Sequence, residues 1–394
     1  MINFLKRTWS EINLDAIEHN FLQIKNMIKS TCKIMSVVKA DAYGHGAEMV
    51  ARRLDKMGTD WFAVSNLEEA LQLRQCGIKK PILILGYTPP EHIAAVVYND
   101  FTQTIFSEEY AFLLSEEALK LNLTVKVHIK IDTGMSRLGF VYQDKIKDNE
   151  IVEDIINTCN IKNFNIDGIY THFSCADMPG EDDFTLQQYN LFSDLIKKLE
   201  KRGINFNIKH CSNSAATLRF KEMNLDMVRP GIILYGLYPS EDLKGIGSFI
   251  PAMQLKSVVS MLKNIDENVS VSYGKTFTTK NKTKLATVPI GYADGYPRLM
   301  SNKGEMIVKG QKVKVVGRVC MDQTVVDVTN VDKIKEDDII TVFGVDNKES
   351  ISAEEISEVS GTINYETVCL IGKRVPRVYF RKNKIIDTLN YFDA

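Results

Sequence analysis

The sequence predicts an α/β fold with a β-rich addition: an amino-terminal (β/α)8 barrel of the TIM type, followed by a mainly β carboxyl-terminal domain. Over the first two-thirds of the 394 residues, short runs of Ile, Val and Leu alternate with helical patterns, as in parallel sheets whose strands are buried on both faces. After about residue 245 the strands crowd together and helical periodicity mostly disappears. The length also exceeds the roughly 250–300 residues at which a single hydrophobic core stops growing. We therefore place a barrel domain at residues 1–245 and a β domain at residues 246–394.

Two helices carry the clearest patterns. One begins after Ser65 and Asn66, has Glu69 in its first turn and stops at Gly77, which is a capping-box start and a glycine stop. The other has apolar residues spaced by three and four, which places them on one face. Its apolar stripe is Leu14, Ile17, Phe21, Ile24 and Ile28.

Eight β-rich runs precede these and similar helical patterns. Eight units over about 240 residues suit a barrel, which is typically ~250 residues long, and a doubly wound sheet is the competing interpretation. The runs are residues 34–38, 61–64, 82–85, 102–106, 125–131, 166–170, 207–208 and 227–228. In the second domain the predicted strands are residues 255–262, 285–290, 306–308, 313–316, 324–328, 339–343 and 375–380.

Composition narrows the function. The net charge is −1, with 49 basic and 50 acidic residues well mixed, so a nucleic-acid partner is not expected. Seven scattered cysteines form no Cys-x-x-Cys pair, and six histidines show no metal-binding spacing, so we expect no metal. The first residues contain no apolar run of the kind found in a leader, so we expect none, and no run of ~20 apolar residues is present. We expect a cytoplasmic protein without a membrane partner.

Reactive groups of a barrel enzyme lie at the carboxyl ends of its strands. Lys39 follows the first apolar run directly, where partial desolvation would lower its pKa and free the amine for imine formation. The loops after the seventh and eighth runs, residues 210–216 and 229–232, offer hydroxyl and backbone N–H groups, which suit a phosphate. A solvated lysine and a simple helix cap are the alternative interpretations of these features.

These residues belong to a set of motifs that resembles the alanine racemases. The set extends in order through nearly the whole chain, across both predicted domains. It comprises Val38-Lys39-Ala-Asp-Ala-Tyr43-Gly-His-Gly, Lys130-Ile-Asp-Thr-Gly-Met-Ser-Arg137-Leu-Gly, Thr171-His172-Phe, Asn213-Ser214-Ala-Ala, Val228-Arg229-Pro-Gly-Ile232, Val271-Ser-Tyr273-Gly, Ile290-Gly-Tyr292-Ala-Asp-Gly, Cys320-Met321-Asp322-Gln and Asn364-Tyr365-Glu.

The resemblance implies that pyridoxal 5′-phosphate is bound by Lys39 as a Schiff base and that L- and D-alanine are interconverted by two bases, supplying D-alanine for peptidoglycan synthesis. Lys39 and Tyr273 would be the two bases, with His172 and Arg229 tuning Tyr273 and Arg229 facing the pyridine nitrogen. The implied cofactor contacts are Tyr43, Ser214, Gly231, Ile232 and Tyr365. The implied substrate contacts are Arg137 and Met321, the entrance residues are Tyr292, Asp322 and Tyr365, and Lys130 is the lysine that can be carbamylated.

In such racemases Tyr273, Met321 and Asp322 would complete the site of a second subunit, so the resemblance also implies a homodimer. One departure concerns Ser136, which stands beside Arg137 where the family commonly has glycine. This serine could perturb the loop of the arginine.

Four other functions are weighed against this one. A barrel-type amino-acid decarboxylase would show a glycine-rich phosphate loop and an acidic pyridine partner. A racemase of serine or of broader range is closer, although Tyr365 favours alanine. A cofactor-binding homeostasis protein would lack the second domain, and a metal hydrolase would need paired histidines, which the sequence does not show.

Overall fold

The computed structural model describes residues 4–146, 148 and 150–392, and these form two compact units. The barrel unit comprises Ile17–Ala42 and Ala47–Ile250. The β unit comprises the described residues of Met1–Ala16, Tyr43–Gly46 and Pro251–Ala394. The predicted boundary between residues 245 and 246 stays a prediction.

The described strands, numbered in chain order, are β1 (Thr8–Asn13), β2 (Lys33–Val37), β3 (Trp61–Val64), β4 (Ile82–Ile84), β5 (Phe101–Ile105), β6 (Val125–Asp132), β7 (Phe140–Val141), β8 (Phe164–Tyr170), β9 (Ile208–His210), β10 (Met227–Val228), β11 (Met253–Val258), β12 (Met261–Ile265), β13 (Ser270–Val271), β14 (Phe277–Thr278), β15 (Thr283–Val288), β16 (Glu305–Val308), β17 (Gln311–Lys314), β18 (Thr324–Asp327), β19 (Ile339–Asp346), β20 (Glu349–Ile351), β21 (Arg377–Arg381) and β22 (Lys384–Leu389). The right-handed α-helices are α1 (Leu14–Met27), α2 (Ala47–Met57), α3 (Leu67–Gln75), α4 (Ile93–Tyr98), α5 (Glu108–Lys120), α6 (Glu150–Cys159), α7 (Asp182–Lys201), α8 (Ser214–Arg219), α9 (Ala353–Ser360) and α10 (Asn364–Cys369).

Eight strands of the barrel unit form a parallel sheet in the order β10-β2-β3-β4-β5-β6-β8-β9. Two backbone hydrogen bonds join the regions of β9 and β10 and almost close the sheet on itself. The Asp226 N–H donates to the Lys209 carbonyl at 3.1 Å, and the Arg229 N–H donates to the Ser212 carbonyl at 3.0 Å. The predicted barrel is confirmed, and the doubly wound alternative is wrong.

Helices α1 and α3 form as their patterns predict. Ile17, Phe21 and Ile24 of the α1 stripe are fully buried, because the spacing of three and four places them on one face. At α3, the Asn66 side chain accepts the Glu69 N–H at 3.0 Å, and the Glu69 carboxylate accepts the Ser65 N–H at 2.7 Å. The return bond of this cap therefore reaches one residue further back than in a standard capping box.

The β unit is built on one large sheet in the order β17-β16-β19-β11-β1-β21-β22, with β20 paired to β19. The first strand of the chain, β1, lies inside this sheet, antiparallel to β11 and parallel to β21. Smaller sheets are formed by β12, β15 and β18 and by β13 and β14. The predicted second, mainly β domain is confirmed as a fold class.

One strand prediction in this unit is wrong. The apolar run at residues 255–262 is not one strand, because β11 ends at Val258 and β12 begins at Met261 in a different sheet. The Val259 N–H donates to the Asp338 carbonyl and the Ser260 N–H to the Thr287 carbonyl, both at 2.9 Å. The backbone therefore switches partners at these two residues, which a continuous apolar run does not indicate.

Helices α9 and α10 are absent from the sequence prediction, although α9 has a readable start. Ser352 and Glu355 form a reciprocal capping box, and Gly361 ends the helix in the left-handed conformation.

Within the part of the chain that the structure describes, no helix has the length and apolar character needed to cross a bilayer. The same residues contain no group of three His, Cys, Asp or Glu side chains arranged for a metal ion.

Candidate active site

Lys39 begins a left-handed turn at the carboxyl end of the first barrel strand. Residues 40–43 have φ between 51° and 54°, and the Ala42 N–H donates to the Val38 carbonyl at 2.9 Å. A left-handed turn costs roughly 1–2 kcal/mol for each residue with a side chain. Such strain persists only where the surroundings hold it, and it clusters at functional sites.

Two carboxylates hold this turn within the barrel unit. Glu69 accepts the Ala40 N–H at 2.7 Å through Oε1 and the Ser65 N–H at 2.7 Å through Oε2. Asp41 accepts the Ala47 N–H at 2.7 Å, at the start of α2. Sequence reasoning missed both contacts, although Glu69 was noted for its place in the cap of α3.

Arg229 is a buried cation, 3% exposed, held by four acceptors. It donates to His210 Nδ1 at 2.9 Å, to His172 Nδ1 at 3.1 Å and to the carbonyls of Thr171 and Cys211 at 2.8 and 3.0 Å. Among the described residues no carboxylate forms an ion pair with it. Burial lowers the pKa of Arg229 to about 10, so the guanidinium is still charged at neutral pH.

His172 accepts from a group that can only donate, which defines its tautomer. Burial lowers the pKa of His172 well below its ordinary value, and the cations Arg229, Lys130, Arg137 and Lys39 lower it further. The ring is therefore neutral, and because Nδ1 accepts from Arg229, the proton lies on Nε2. His172 thus presents one N–H donor to whatever group approaches Nε2.

Lys130 is a buried amine, 5% exposed, whose Nζ donates to the Ile131 carbonyl at 2.6 Å. Burial lowers the pKa of Lys130 to about 7; Asp132 opposes this shift, while Arg229 and Arg137 reinforce it. A substantial fraction of Lys130 is therefore neutral at neutral pH. Burial and, to a smaller extent, the charges of Arg229 and Arg137 disfavour a positive charge here.

The loop that carries Arg137 contains the serine that departs from the family pattern. Ser136 has φ +54°, in the left-handed region that favours glycine. Asp132 accepts the N–H groups of Gly134 and Ser136 at 2.9 and 3.0 Å, and Gln143 donates to Ser136 Oγ at 3.2 Å. The left-handed backbone gives a physical reason for the glycine, and the bonds to Asp132 and Gln143 hold the serine in its place.

The loops after the last two barrel strands meet at Ser214. Its buried Oγ accepts the Gly231 N–H at 2.9 Å, and Asn213 caps the same helix, α8, by accepting the Ala216 N–H at 3.0 Å. Ile232 begins a 3-10 helix. A hydroxyl and the backbone N–H groups of two helix starts suit a phosphate, and an amine at the end of the first strand suits an aldehyde. This set of donors therefore fits pyridoxal phosphate.

In the β unit, two of the expected cofactor contacts lie side by side. The rings of Tyr43 and Tyr365 have centroids 6.2 Å apart and are tilted by 49°. Gly44, next to Tyr43, has φ +77°, and a Cβ on it would lie 2.2 Å from the Val368 carbonyl oxygen. Only glycine permits this approach of the Tyr43 segment to the helix that carries Tyr365.

The predicted entrance residues Tyr292 and Asp322 are held by a buried carboxylate that sequence reasoning missed. Asp294 has a fully buried side chain and pairs with Arg7 at 2.6 Å and Arg374 at 2.8 Å. It also accepts the Gly291 N–H at 2.9 Å, which fixes the turn that contains Tyr292. Arg374 in turn donates to Asp322 at 2.7 Å.

The loop with Met321 packs directly on this turn. The Met321 carbonyl accepts the Ala293 N–H at 3.1 Å, and the Cys320 carbonyl accepts the Tyr292 N–H at 3.1 Å. A Cβ on Gly291 would lie 2.2 Å from the Cys320 oxygen, so a glycine is needed at this position. Tyr292, Met321 and Asp322 therefore form one connected group.

Tyr273 lies on a separate turn of the β unit, between β13 and β14, with its side chain 70% exposed. Ser272 has φ +62° and donates its hydroxyl to the Arg318 carbonyl at 2.6 Å. A Cβ on Gly274, which has φ +72°, would lie 3.0 Å from the Arg318 guanidinium. The turn is thus fixed at both sides of an outward-facing phenol.

The predicted site residues therefore fall into three groups. The barrel unit brings Lys39, Lys130, Arg137, His172 and Arg229 close enough to influence one another electrostatically, with Ser214, Gly231 and Ile232 in its last two loops. The β unit joins Tyr43 to Tyr365 and Tyr292 to Met321 and Asp322. Tyr273 lies on a turn next to the second of these groups of the β unit, because Ser272 Oγ is 3.5 Å from Cys320 Sγ.

Family models match both parts of the chain. The alanine racemase N-terminal domain matches residues 12–239, and the alanine racemase C-terminal domain matches residues 252–379. Together with a barrel that carries a lysine at its first strand end and a second, β-rich part, these matches define a barrel-type amino-acid racemase.

Named relatives extend over the whole length. The chain is 46% identical to alanine racemase from Methanococcus maripaludis over 94% of this chain and 98% of the relative. A solved structure of alanine racemase from Clostridium difficile 630 is 42% identical, with TM-score 0.93 and coverage of 99% and 100%. A crystal structure from Bartonella henselae, with covalently bound pyridoxal phosphate, is 28% identical, with TM-score 0.84 and coverage of 95% and 99%. The chain belongs to the alanine racemase family.

Proposed function

We propose that this protein interconverts L- and D-alanine with pyridoxal phosphate held at Lys39, and that the D-alanine supplies peptidoglycan synthesis. The observation that carries the proposal is the amine of Lys39 at the start of a strained turn, in one cluster with Arg229 and His172. The relatives that this chain matches over nearly their whole length are named alanine racemase. We expect the enzyme to work in the cytoplasm.

The cofactor would be held by the residues that the family resemblance implies. Lys39 would bind its aldehyde, and Arg229 would donate a hydrogen bond to its ring nitrogen, since a guanidinium cannot accept one. The phosphate would contact Ser214, the backbone of Gly231 and Ile232, and the hydroxyls of Tyr43 and Tyr365. When bound, the cofactor supplies an electron sink for the charge that develops at Cα as a proton leaves.

Inversion at Cα requires a proton to leave one face and another to arrive at the opposite face. We assign one transfer to the Lys39 amine and the other to the Tyr273 hydroxyl of the partner subunit. A free phenol has a pKa near ~10, so Tyr273 needs a donor that stabilises its ionised form. His172 supplies this donor, because its Nε2 carries the proton and its Nδ1 accepts from Arg229.

The substrate would be oriented by its carboxylate. Arg137 offers a planar cation on an exposed loop, which suits a carboxylate, and the backbone of Met321 adds a second contact. Tyr292, Asp322 and Tyr365 would narrow the entrance, which favours a methyl side chain over larger ones. The connected group of Tyr292, Met321 and Asp322 supports a shared role.

Lys130 is the candidate for carbamylation. The neutral amine adds to carbon dioxide, forms an N–C bond and releases one proton, which leaves an anion. Burial and two neighbouring arginines favour the neutral amine that this reaction needs. The anion would replace repulsion between Lys130 and Arg137 by attraction, and would hold the arginine in place.

The exposure of three residues proposed for the partner's site supports a homodimer. The aromatic Tyr273 and the apolar Met321 are 70% and 53% exposed in the single chain, and Asp322 follows Met321 with its side chain 57% exposed. Such large apolar or aromatic groups are commonly covered in an assembly. We propose that two copies exchange these surfaces about a twofold axis, so that each β unit completes the other copy's site.

A coupled assay of the purified protein tests this function. With pyridoxal phosphate, L-alanine should yield D-alanine and the reverse, and Lys39→Ala should abolish both directions. Lys29→Ala, at an exposed lysine outside the site, is the matched control and should leave both rates unchanged. Activity retained in Lys39→Ala, or release of carbon dioxide in place of racemisation, would contradict the proposal.

A further inference from the structure

Two buried histidines continue the hydrogen-bond chain of Arg229 into the barrel. His210 Nδ1 lies 2.9 Å from an Arg229 nitrogen, and His210 Nε2 lies 3.1 Å from His128 Nδ1. Both rings are fully buried. Neither histidine has a role in the proposed reaction, and His128 has no direct hydrogen bond to the guanidinium.

The direction of every bond in this chain follows from Arg229. A guanidinium can only donate, so His210 Nδ1 must accept and the proton of a neutral His210 lies on Nε2. That proton is donated to His128 Nδ1, which therefore also accepts. His128 is then left with its own proton on Nε2.

This last nitrogen is the unusual feature of the chain. His128 Nε2 has no hydrogen-bond partner among the described residues. A buried donor without a partner is unfavourable, and a leucine of similar size would avoid it. The histidine is explained if its other nitrogen is needed as an acceptor.

The barrel strands are shaped around the His128 ring. His128 on β6 pairs with Gly168 on β8, at an irregularity in the ladder. A Cβ on Gly168 would lie 2.6–2.7 Å from three atoms of the ring, so any other residue would displace it. Trp61 contacts the ring with centroids 5.2 Å apart, and Tyr170 stacks on His210 at 4.8 Å and 8°.

We propose that His128 is a positioning residue, which accepts the Nε2 proton of His210 and thereby keeps His210 Nδ1 directed at Arg229. The inference rests on the proposed function, in which Arg229 faces the cofactor ring. Burial lowers the pKa of His128 to about 4 and that of His210 well below its ordinary value, and Arg229 lowers both further. Both rings therefore stay neutral, as the chain requires.

Nitrogen NMR of the 15N-histidine-labelled protein tests the direction of the chain without any activity measurement. Protonated and bare ring nitrogens have well separated shifts, and single-histidine variants assign the signals. We expect both His210 and His128 to be neutral with the proton on Nε2. A His210 ring protonated on Nδ1, or on both nitrogens, would overturn the inference, whatever the enzyme proves to catalyse.

Two variants test the consequence for the site. In His128→Leu we expect kcat to fall about tenfold, because His210 loses the acceptor that keeps its Nδ1 directed at Arg229. KM for alanine should stay within about twofold, because the residues proposed to bind the carboxylate are untouched. His128→Asn keeps an acceptor near the position of Nδ1 and should recover most of the lost kcat. Unchanged kcat in His128→Leu would refute the proposal.

A glycine pair covers the case in which His128→Leu does not fold. Gly168→Ala keeps both histidines and displaces the ring, so it should lower kcat and alter the His210 nitrogen shifts. Gly180→Ala, where an added Cβ meets nothing within 4 Å, should change neither. Shifts unaltered in Gly168→Ala would contradict the role of His128. If the wild-type protein shows the expected histidine tautomers but no racemase activity, the proposed function is rejected and the direction of the histidine chain is not.

Discussion

Glu69 accepts the backbone N–H of Ala40 at 2.7 Å, and so anchors the residue that follows Lys39. Its second oxygen accepts the Ser65 N–H at the end of the neighbouring strand. One carboxylate therefore ties the strained turn after β2 to the loop after β3. The lysine proposed to bind the cofactor is placed by a group that never needs to contact it.

We predict that Glu69→Ala weakens this placement. The change leaves two backbone N–H groups without their acceptor, and one unsatisfied group costs about 1–3 kcal/mol where it is buried. Because both groups are partly exposed to water, a loss of about 1 kcal/mol in the free energy of unfolding is expected. Retention of pyridoxal phosphate on dilution should fall as well, measured by the absorbance of the bound cofactor.

Glu68→Ala is the matched control for this variant, because Glu68 precedes Glu69 on the same helix with its side chain exposed. It should leave cofactor retention unchanged. Equal retention in Glu68→Ala and Glu69→Ala would show that the anchor at Ala40 has no functional consequence.

The left-handed backbone of Ser136 leads to a second prediction. Ser136→Gly should be tolerated, with a free energy of unfolding within about 0.5 kcal/mol of the wild type, because relief of strain offsets the added freedom of the unfolded chain. Ser136→Val should destabilise the loop, because a β-branched residue resists φ +54°. We expect a several-fold higher KM for alanine in Ser136→Val only. An equal KM in both variants would show that the backbone at Ser136 does not affect substrate binding by Arg137.

Asp294 joins two arginines and a backbone N–H around the turn of Tyr292, so its charge is the basis of a third prediction. Asp294→Asn should lower the free energy of unfolding by about 3 kcal/mol, the lower end of the cost of breaking a buried ion pair. The lower end applies because Arg7 and Arg374 are 39% and 32% exposed. Chemical denaturation measures the loss. Glu153→Gln, at an exposed pair with Arg202, is the control and should change stability little.

The lowered pKa of Lys130 predicts how the free energy of unfolding depends on pH. Its pKa is lowered to about 7, so between pH 7 and the ordinary lysine value of ~10.4 the unfolded chain binds more protons than the folded protein. Below that window, burial of the charged amine lowers the free energy of unfolding by its full amount. Above the window the amine is neutral in both states and this cost is absent. The free energy of unfolding should therefore rise with pH across the window in carbon dioxide-free buffer, and Lys130→Met should flatten the rise. Identical slopes for the two proteins would refute the assignment.

The barrel was predictable because local patterns encode it. Most of the buried parallel strands lie in short runs rich in Ile, Val and Leu, although β9 and β10 contribute only a few such residues. The apolar stripe of α1 and the cap of α3 are also visible in the sequence. Lys39 could be named from its place after a strand, whereas His172 and Arg229 were named from the resemblance of their motifs to those of alanine racemases. Their roles as proton carriers and ligands stay predictions.

Contacts between distant residues could not be predicted in this way. The pairing of β1 with β11 joins residues that are more than two hundred positions apart, and the hydrogen bond between His210 and His128 spans 82 positions. Asp294 is in a motif, but only the structure shows that Arg7 and Arg374 converge on it. The switch of sheets after Val258 is hidden by apolar residues on both sides.

The central claim is that Lys39 of one subunit and Tyr273 of the other form one site, and hybrid dimers test it most directly. Lys39→Ala and Tyr273→Phe should each be inactive alone. In a hybrid of the two, one site contains both mutations and the other contains neither.

Coexpressing the two variants in equal amounts should therefore restore about a quarter of the wild-type racemase activity, since half of the dimers are hybrids and each hybrid has one intact site. Activity that stays at the level of the single variants would contradict the account, because it would mean that both groups act within one chain or that one of them takes no part.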